Sequence, residues 1–256
     1  MKNLDVLIKY FSQIIDYQCF TNCIMYKLTH FAGIRHHKSK IRYPLSILAF
    51  FLIITVANAH TVNYQLEGQP TTAVFSYYVK LGFQHIIPEG FDHILFVVGL
   101  YLLSPKLKTI IWQATAFTVA HTITLILSMK NLIVAPPDIV EPIIALSIVF
   151  IAVENLITST LQPWRIALVF AFGLVHGMGF ASALNELGVP RDAFFSSLLS
   201  FNVGVELGQI SVILLCYALF GRWFSEKEWY KMRVVTPMSL AIAAVAIFWT
   251  IQRIWF

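Results

Sequence analysis

Between residues 110 and 251 the chain holds five uninterrupted apolar runs: Ile110 to Ser128, Ile139 to Ile157, Ile166 to Ala183, Phe194 to Phe220, and Val234 to Ile251. Each is close to the ~20 residues that carry a helix across the hydrocarbon of a bilayer. In lipid the backbone must bond to itself, which leaves helices or closed barrels as the only spanning forms. Runs of this length and continuity are helical. A further run, "AVFSYYVKLGFQH" (Ala73 to His85), is broken by Pro88-Glu89-Gly90 and resumes as Phe91 to Leu103. Taken as one broken crossing, it makes about six. The expected fold class is therefore all-α, a polytopic membrane helical bundle of about six transmembrane helices after an N-terminal signal or anchor segment. The composition agrees: 58% of residues are hydrophobic and 12% charged, where a soluble domain carries about a quarter charged.

The chain divides into 1–59, an N-terminal extension plus signal peptide or signal anchor; 60–72, a short periplasmic segment; and 73–256, the six-span membrane domain. The signal reading rests on a basic cluster "RHHKSKIR" (Arg35 to Arg42), an apolar stretch from Leu45 to Val56, and Ala57-x-Ala59. Cleavage before His60 and retention as an anchor are both compatible with this layout. The net charge of +5 is spread over short segments, which speaks for topology and not for nucleic acid. Lys106, Lys108, Arg165, Arg222, Lys227, Lys231 and Arg233 fall in alternate loops; Lys130, Arg191 and Arg253 fall opposite. By the positive-inside rule the first set is cytoplasmic and the mature N-terminus periplasmic, in a bacterial inner membrane. The lipid bilayer is the first partner. A homo-oligomer or a partner in metalloenzyme maturation is compatible with the pattern but not specified by it.

Ionisable residues inside membrane segments are functional by default. Here they are Asp92, His93, His121, Glu141, Glu154, His176 and Glu206, with His85 and Glu89 at the break. Asp92 lies about a dozen residues, ~18 Å, above Ser104-Pro105. With a core ~30 Å thick, either the Pro-Glu-Gly break is irregular backbone at membrane depth, tolerated only in protein or beside a wet cavity, or the span is short, with the bilayer locally thinned and Asp92 an N-cap at the interface. No Lys or Arg lies in the stretches of the six spans between these positions, so the carboxylates are expected to find imidazoles, protons, hydroxyls or an outside cation. Helical spacing sets Asn202, Glu206 and Gln209 on one face. Thr118 and His121 share another, and Glu154 is flanked by Asn155. Gly173, Gly177 and Gly179 around His176, and Gly204 and Gly208 beside Glu206, allow close helix approach. Glu141, behind Pro136-Pro137, reads as a partner of its helix N-terminus. Imidazole suits Zn, Cu, Fe and Ni, and the set lacks cysteine; Cys216 reads as packing.

The segments "GFQHIIPEGFDHILFVVGL", "FTVAHTITL", "VEPIIALSIVFIAVEN", "GLVHGMGFAS" and "FNVGVELGQ" together resemble the HupE/UreJ family in its second, more divergent branch, in order over about residues 80–250. The resemblance implies a nickel or cobalt permease of about six spans. The family's His and Asp-His motif falls on His85, Asp92 and His93, and its His-Gly motif on His176-Gly177. Six residues separate His85 from Asp92 where the best-known branch has five, and no second His follows His176-Gly177.

The expectation is a carrier or channel for a divalent transition metal (Ni, Co or Zn) as substrate or bound ion. His85, Asp92, His93, His121, His176 and Glu206 are the candidate metal ligands. Glu89, Glu154, Asn155, Asn202 and Gln209 are expected along the pathway or behind the ligands. The rival is an intramembrane zinc-dependent hydrolase with its site in the outer half of the bilayer, in which Glu206 acts as general base.

Overall fold

The computed structural model describes residue 66 and residues 69–104, 106–158, 160–187, 189–190 and 193–255. The signal or anchor segment expected over 1–59 lies outside the described residues, as does Arg191. The described residues form helices without strands. They are α1 (Thr71–Ile86), α2 (Phe91–Leu103), α3 (Leu107–Met129), α4 (Pro137–Ile157), α5 (Arg165–Leu187), α6 (Phe194–Cys216) and α7 (Thr236–Trp255). A wider π turn, Tyr217–Gly221, and a short helical piece, Arg222–Phe224, continue α6; another π turn, Lys231–Val235, leads into α7.

Local chemistry accounts for several of the boundaries. Pro137 stands in the first turn of α4 with Asp138 beside it, where a missing N–H costs nothing and a carboxylate meets the positive end of the helix. Asn131, the residue with positive φ (56°) after α3, supplies the left-handed turn that asparagine tolerates. The break between α1 and α2 spans Ile87, Pro88, Glu89 and Gly90, and the two helices meet there at 69°. Five helical segments among the described residues are long and apolar enough to cross a membrane, and the bent α1/α2 pair adds a sixth. This is the polytopic bundle expected from the apolar runs.

Three helix pairs pack most extensively: α1 with α6, α3 with α5, and α4 with α7. The short α2 sits among them and touches α4, α6, α7 and α3. In lipid, helix association depends on close packing, because the surrounding tails are as apolar as leucine. Small residues supply it. At Gly204 an added Cβ would meet the carbonyl of Val79 and the backbone of Phe83; at Gly173 it would meet Phe117 and Ala120. The bundle's outer faces carry Ile123, Leu146, Phe150, Val203, Leu214 and Val245 exposed, as a lipid-facing surface requires. Trp112, Trp164, Trp223 and Trp229 are exposed near the end where α3 and α5 begin and α6 finishes. Such a belt marks a membrane interface.

Candidate metal centre

The break in the first span places two histidines at its vertex. His85 ends α1 and His93 lies in the first turn of α2, with ring centroids 4.8 Å apart. His121, midway along α3, completes a group in which one ring nitrogen from each of His85, His93 and His121 lies within 4.8 Å of the others. Two nitrogens at ~2.1 Å from one ion are at most ~4.2 Å apart. Three nitrogens sharing one ion lie closer still, ~3.4 Å apart in tetrahedral geometry, so the group would close by about 1 Å around an ion. His176 of α5 stands beside it, its ring 5.1 Å from that of His93.

The hydrogen bonds behind these rings decide which nitrogens are free. Asn202 donates from Nδ2 to the Leu198 carbonyl at 2.8 Å, which leaves its Oδ1 as an acceptor. The His121 Nδ1 lies 3.0 Å from that oxygen and donates to it. The His176 Nδ1 donates to the Phe172 carbonyl at 2.9 Å. In both rings the proton is thereby fixed on Nδ1 and the lone pair sits on Nε2. The Nε2 atoms of His85, His93, His121 and His176 are all buried without a hydrogen-bond partner. Buried imidazole nitrogens normally find one. Four left open, two with the outer nitrogen anchored on an oxygen, is the arrangement that metal-ligating histidines adopt. Phe117, Phe180 and Phe201 line the same pocket: Phe180 lies 3.9 Å from the His85 ring, and Phe117 4.9 Å from that of His176.

The carboxylates are placed differently. Asp92 pairs with Arg253 at 2.8 Å. Glu154 pairs with Arg165 at 3.3 Å, and both are buried. The expectation that these acids lack basic partners is thus corrected. Both arginines sit at run ends, where they count as loop charges, and their long stems reach back along the bundle. Glu206 accepts hydrogen bonds from Thr115 (2.6 Å) and Thr118 (2.5 Å), lengths typical of hydroxyls on a carboxylate. The cluster of three therefore contains neither Asp92 nor Glu206. Glu89 is exposed in the break. Asn155 donates to the Gly99 carbonyl at 2.8 Å and ties α4 to α2. Gln209 is buried with both polar side-chain atoms unpartnered. Gly177 packs on the His121 carbonyl and Thr124, Gly179 on Ile144 and Val140, and Gly208 on Ile86.

Thr115, which the sequence did not single out, and Arg165 and Arg253, which it assigned to loops, enter the site's surroundings. Thr115 carried a signal: it lies one helical turn from Thr118, on the same side of α3.

A multi-pass helical bundle with a histidine pocket at a broken span defines a class of membrane protein. Residues 59–253 match the sequence profile described as HupE/UreJ protein, and the chain belongs to that family. No curated protein and no solved structure matches it.

Proposed function

We propose that this protein moves a divalent transition-metal cation, Ni²⁺ or Co²⁺, across a bacterial inner membrane. The observation that carries the reading is that His85, His93 and His121, each with an unpartnered Nε2, bring one ring nitrogen apiece together where α1 and α2 meet. The site's chemistry suits passage. Three neutral imidazoles replace part of an ion's hydration shell without matching its charge, and conduction needs a site that binds firmly enough to admit and weakly enough to release. Nitrogen ligands without thiolate favour ions of intermediate softness, which include nickel and cobalt. Family membership adds its association with nickel and cobalt transport.

From the pocket the path follows α6 along Asn202, Glu206 and Gln209. Lys106, Lys108, Arg222, Lys227, Lys231 and Arg233 on one side outnumber Lys130 and Arg191 on the other even with the paired Arg165 and Arg253 set aside. That bias supports a periplasmic entrance on the side of α2's N-terminus. A hydrolytic centre would need a carboxylate ready to take a proton from bound water. Both oxygens of Glu206 are occupied by threonine hydroxyls, which favours transport.

The test is uptake of radioactive nickel and cobalt by cells expressing the full-length protein, with expression checked in membranes. His93→Ala and His121→Ala should each reduce accumulation to the level of cells lacking the protein. Accumulation undiminished in both variants would end the transport reading.

A further inference from the structure

Arg253 lies in the last turn of α7 and bridges three elements. Its Nη2 donates to Asp92 Oδ2 at 2.8 Å, its Nη1 donates to the Glu141 carbonyl of α4 at 3.2 Å, and its guanidinium lies 5.6 Å from the Trp249 ring. Asp92 immediately precedes His93 in the first turn of α2. The side chains of Arg253 and Asp92 are 22% and 23% exposed, so this pair sits at the rim of the histidine pocket and not within it.

The electrostatics follow from that placement. The pocket offers neutral nitrogens, and a dication entering it finds no charge compensation among its ligands. Glu154 is paired with Arg165, Glu89 is exposed, and Glu206, which keeps its charge under two hydroxyl bonds, lies outside the cluster of three. Asp92 is the carboxylate joined directly to a triad histidine. While Arg253 is attached, the pair is neutral and its field at the pocket largely cancels. A guanidinium on a long stem at the rim can leave toward the interface at little cost. An entering dication carries twice its charge, whereas a monovalent ion has no charge advantage over it and lacks its two directed bonds.

We infer that Arg253 is an internal competitor for the charge of the incoming cation: it neutralises the Asp92 carboxylate at the rim while the histidine pocket is empty and yields it when a divalent ion occupies that pocket. Arg253 then determines specificity by charge, and Asp92 compensates the ion from beside His93 without ligating it. The inference rests on the transport reading.

The experiment is equilibrium dialysis of the detergent-purified full-length protein against Ni²⁺, with thermal unfolding measured alongside. Arg253→Gln should tighten binding about tenfold, the order expected of one partly screened charge removed from beside a carboxylate. Arg253→Lys retains the charge and should bind within about twofold of wild type. Asp92→Asn should weaken binding, and adding Arg253→Gln to it should change little further. If Arg253 only pins α7 to α2, Arg253→Gln will melt lower with unchanged or weaker binding, and the competitor is refuted. Should Arg253→Gln not fold, the Asp92→Asn pair of proteins decides: equal Ni²⁺ affinity in Asp92→Asn and wild type refutes it as well. Wild-type protein that takes up no Ni²⁺, Co²⁺ or Zn²⁺ at all overturns the metal reading itself, and the inference with it.

Discussion

The Nδ1 of His121 rests 3.0 Å from the Oδ1 of Asn202, and this contact between α3 and α6 sets the face that His121 shows to the pocket. Asn202 is itself oriented by the Leu198 carbonyl. Two hydrogen bonds thus run from a backbone carbonyl to the His121 ring, whose Nε2 is left open. Asn202→Ala frees the ring to turn and to carry its proton on either nitrogen. Metal affinity, measured by dialysis, should fall about 10- to 100-fold, as for other groups that orient a ligand from behind. Unchanged affinity would mean that packing by Phe117 and Phe201 alone fixes the ring.

On the proposed transport reading, Glu206 is the residue expected to separate binding from passage. Glu206→Gln keeps the shape but replaces one of two acceptor oxygens with a donor, so the Thr115 and Thr118 hydroxyls can no longer both donate to it. Nickel bound per protein should stay near wild type, while uptake by cells should fall more than about tenfold, the size of effect that one disturbed charge-assisted hydrogen bond can produce. Loss of bound nickel in this variant would place Glu206 among the ligands.

Gly177 lets α5 lie against the carbonyl of His121. An added Cβ there would meet backbone, which cannot step aside. Gly177→Val should destabilise the protein by about 1–3 kcal/mol in thermal or denaturant unfolding and weaken metal binding by shifting His121. At Gly179 the nearest obstacle is the tip of the Ile144 side chain at 2.8 Å. Gly179→Ala should therefore cost less, because a side-chain end can rotate.

Glu154 and Arg165 form a buried pair whose remaining polar atoms have no hydrogen-bond partner. Removing one charge strands the other. Glu154→Gln should cost about 3–5 kcal/mol, while the double substitution Glu154→Leu/Arg165→Met should return stability close to wild type. The comparison is read from unfolding in detergent. A double variant as unstable as the single one would show that the pair does more than neutralise itself.

The spans were readable because lipid imposes one simple rule, apolar length, and the five long helices and the bent pair among the described residues follow from it. His85, His93, His121 and His176 were readable because an imidazole in an apolar run is conspicuous. Asn202 and Glu206 could be put on one face of α6, yet the threonines and the imidazole they bond lie on α3, and a single sequence does not say which helix faces which. Arg165 and Arg253 were misjudged for a related reason. Their positions at the ends of runs assign them to loops, but the reach of an arginine side chain is comparable to a full turn of helix. Side-chain length, not position, determines where such a charge is felt.

The 69° bend at Ile87 to Gly90 has a mechanical meaning. His85 and His93 belong to different arms of a hinge, one in α1 and one in α2. The second arm is 13 residues, or ~20 Å, long. Rings near a vertex move little while the far end of the arm sweeps widely. A change of a few tenths of an ångström between the two imidazoles, taken up as rotation at the bend, would be magnified several-fold at Leu103, the far end of α2. An ion held between the two rings would therefore set, through its radius, the angle at which this half-helix leaves the bend.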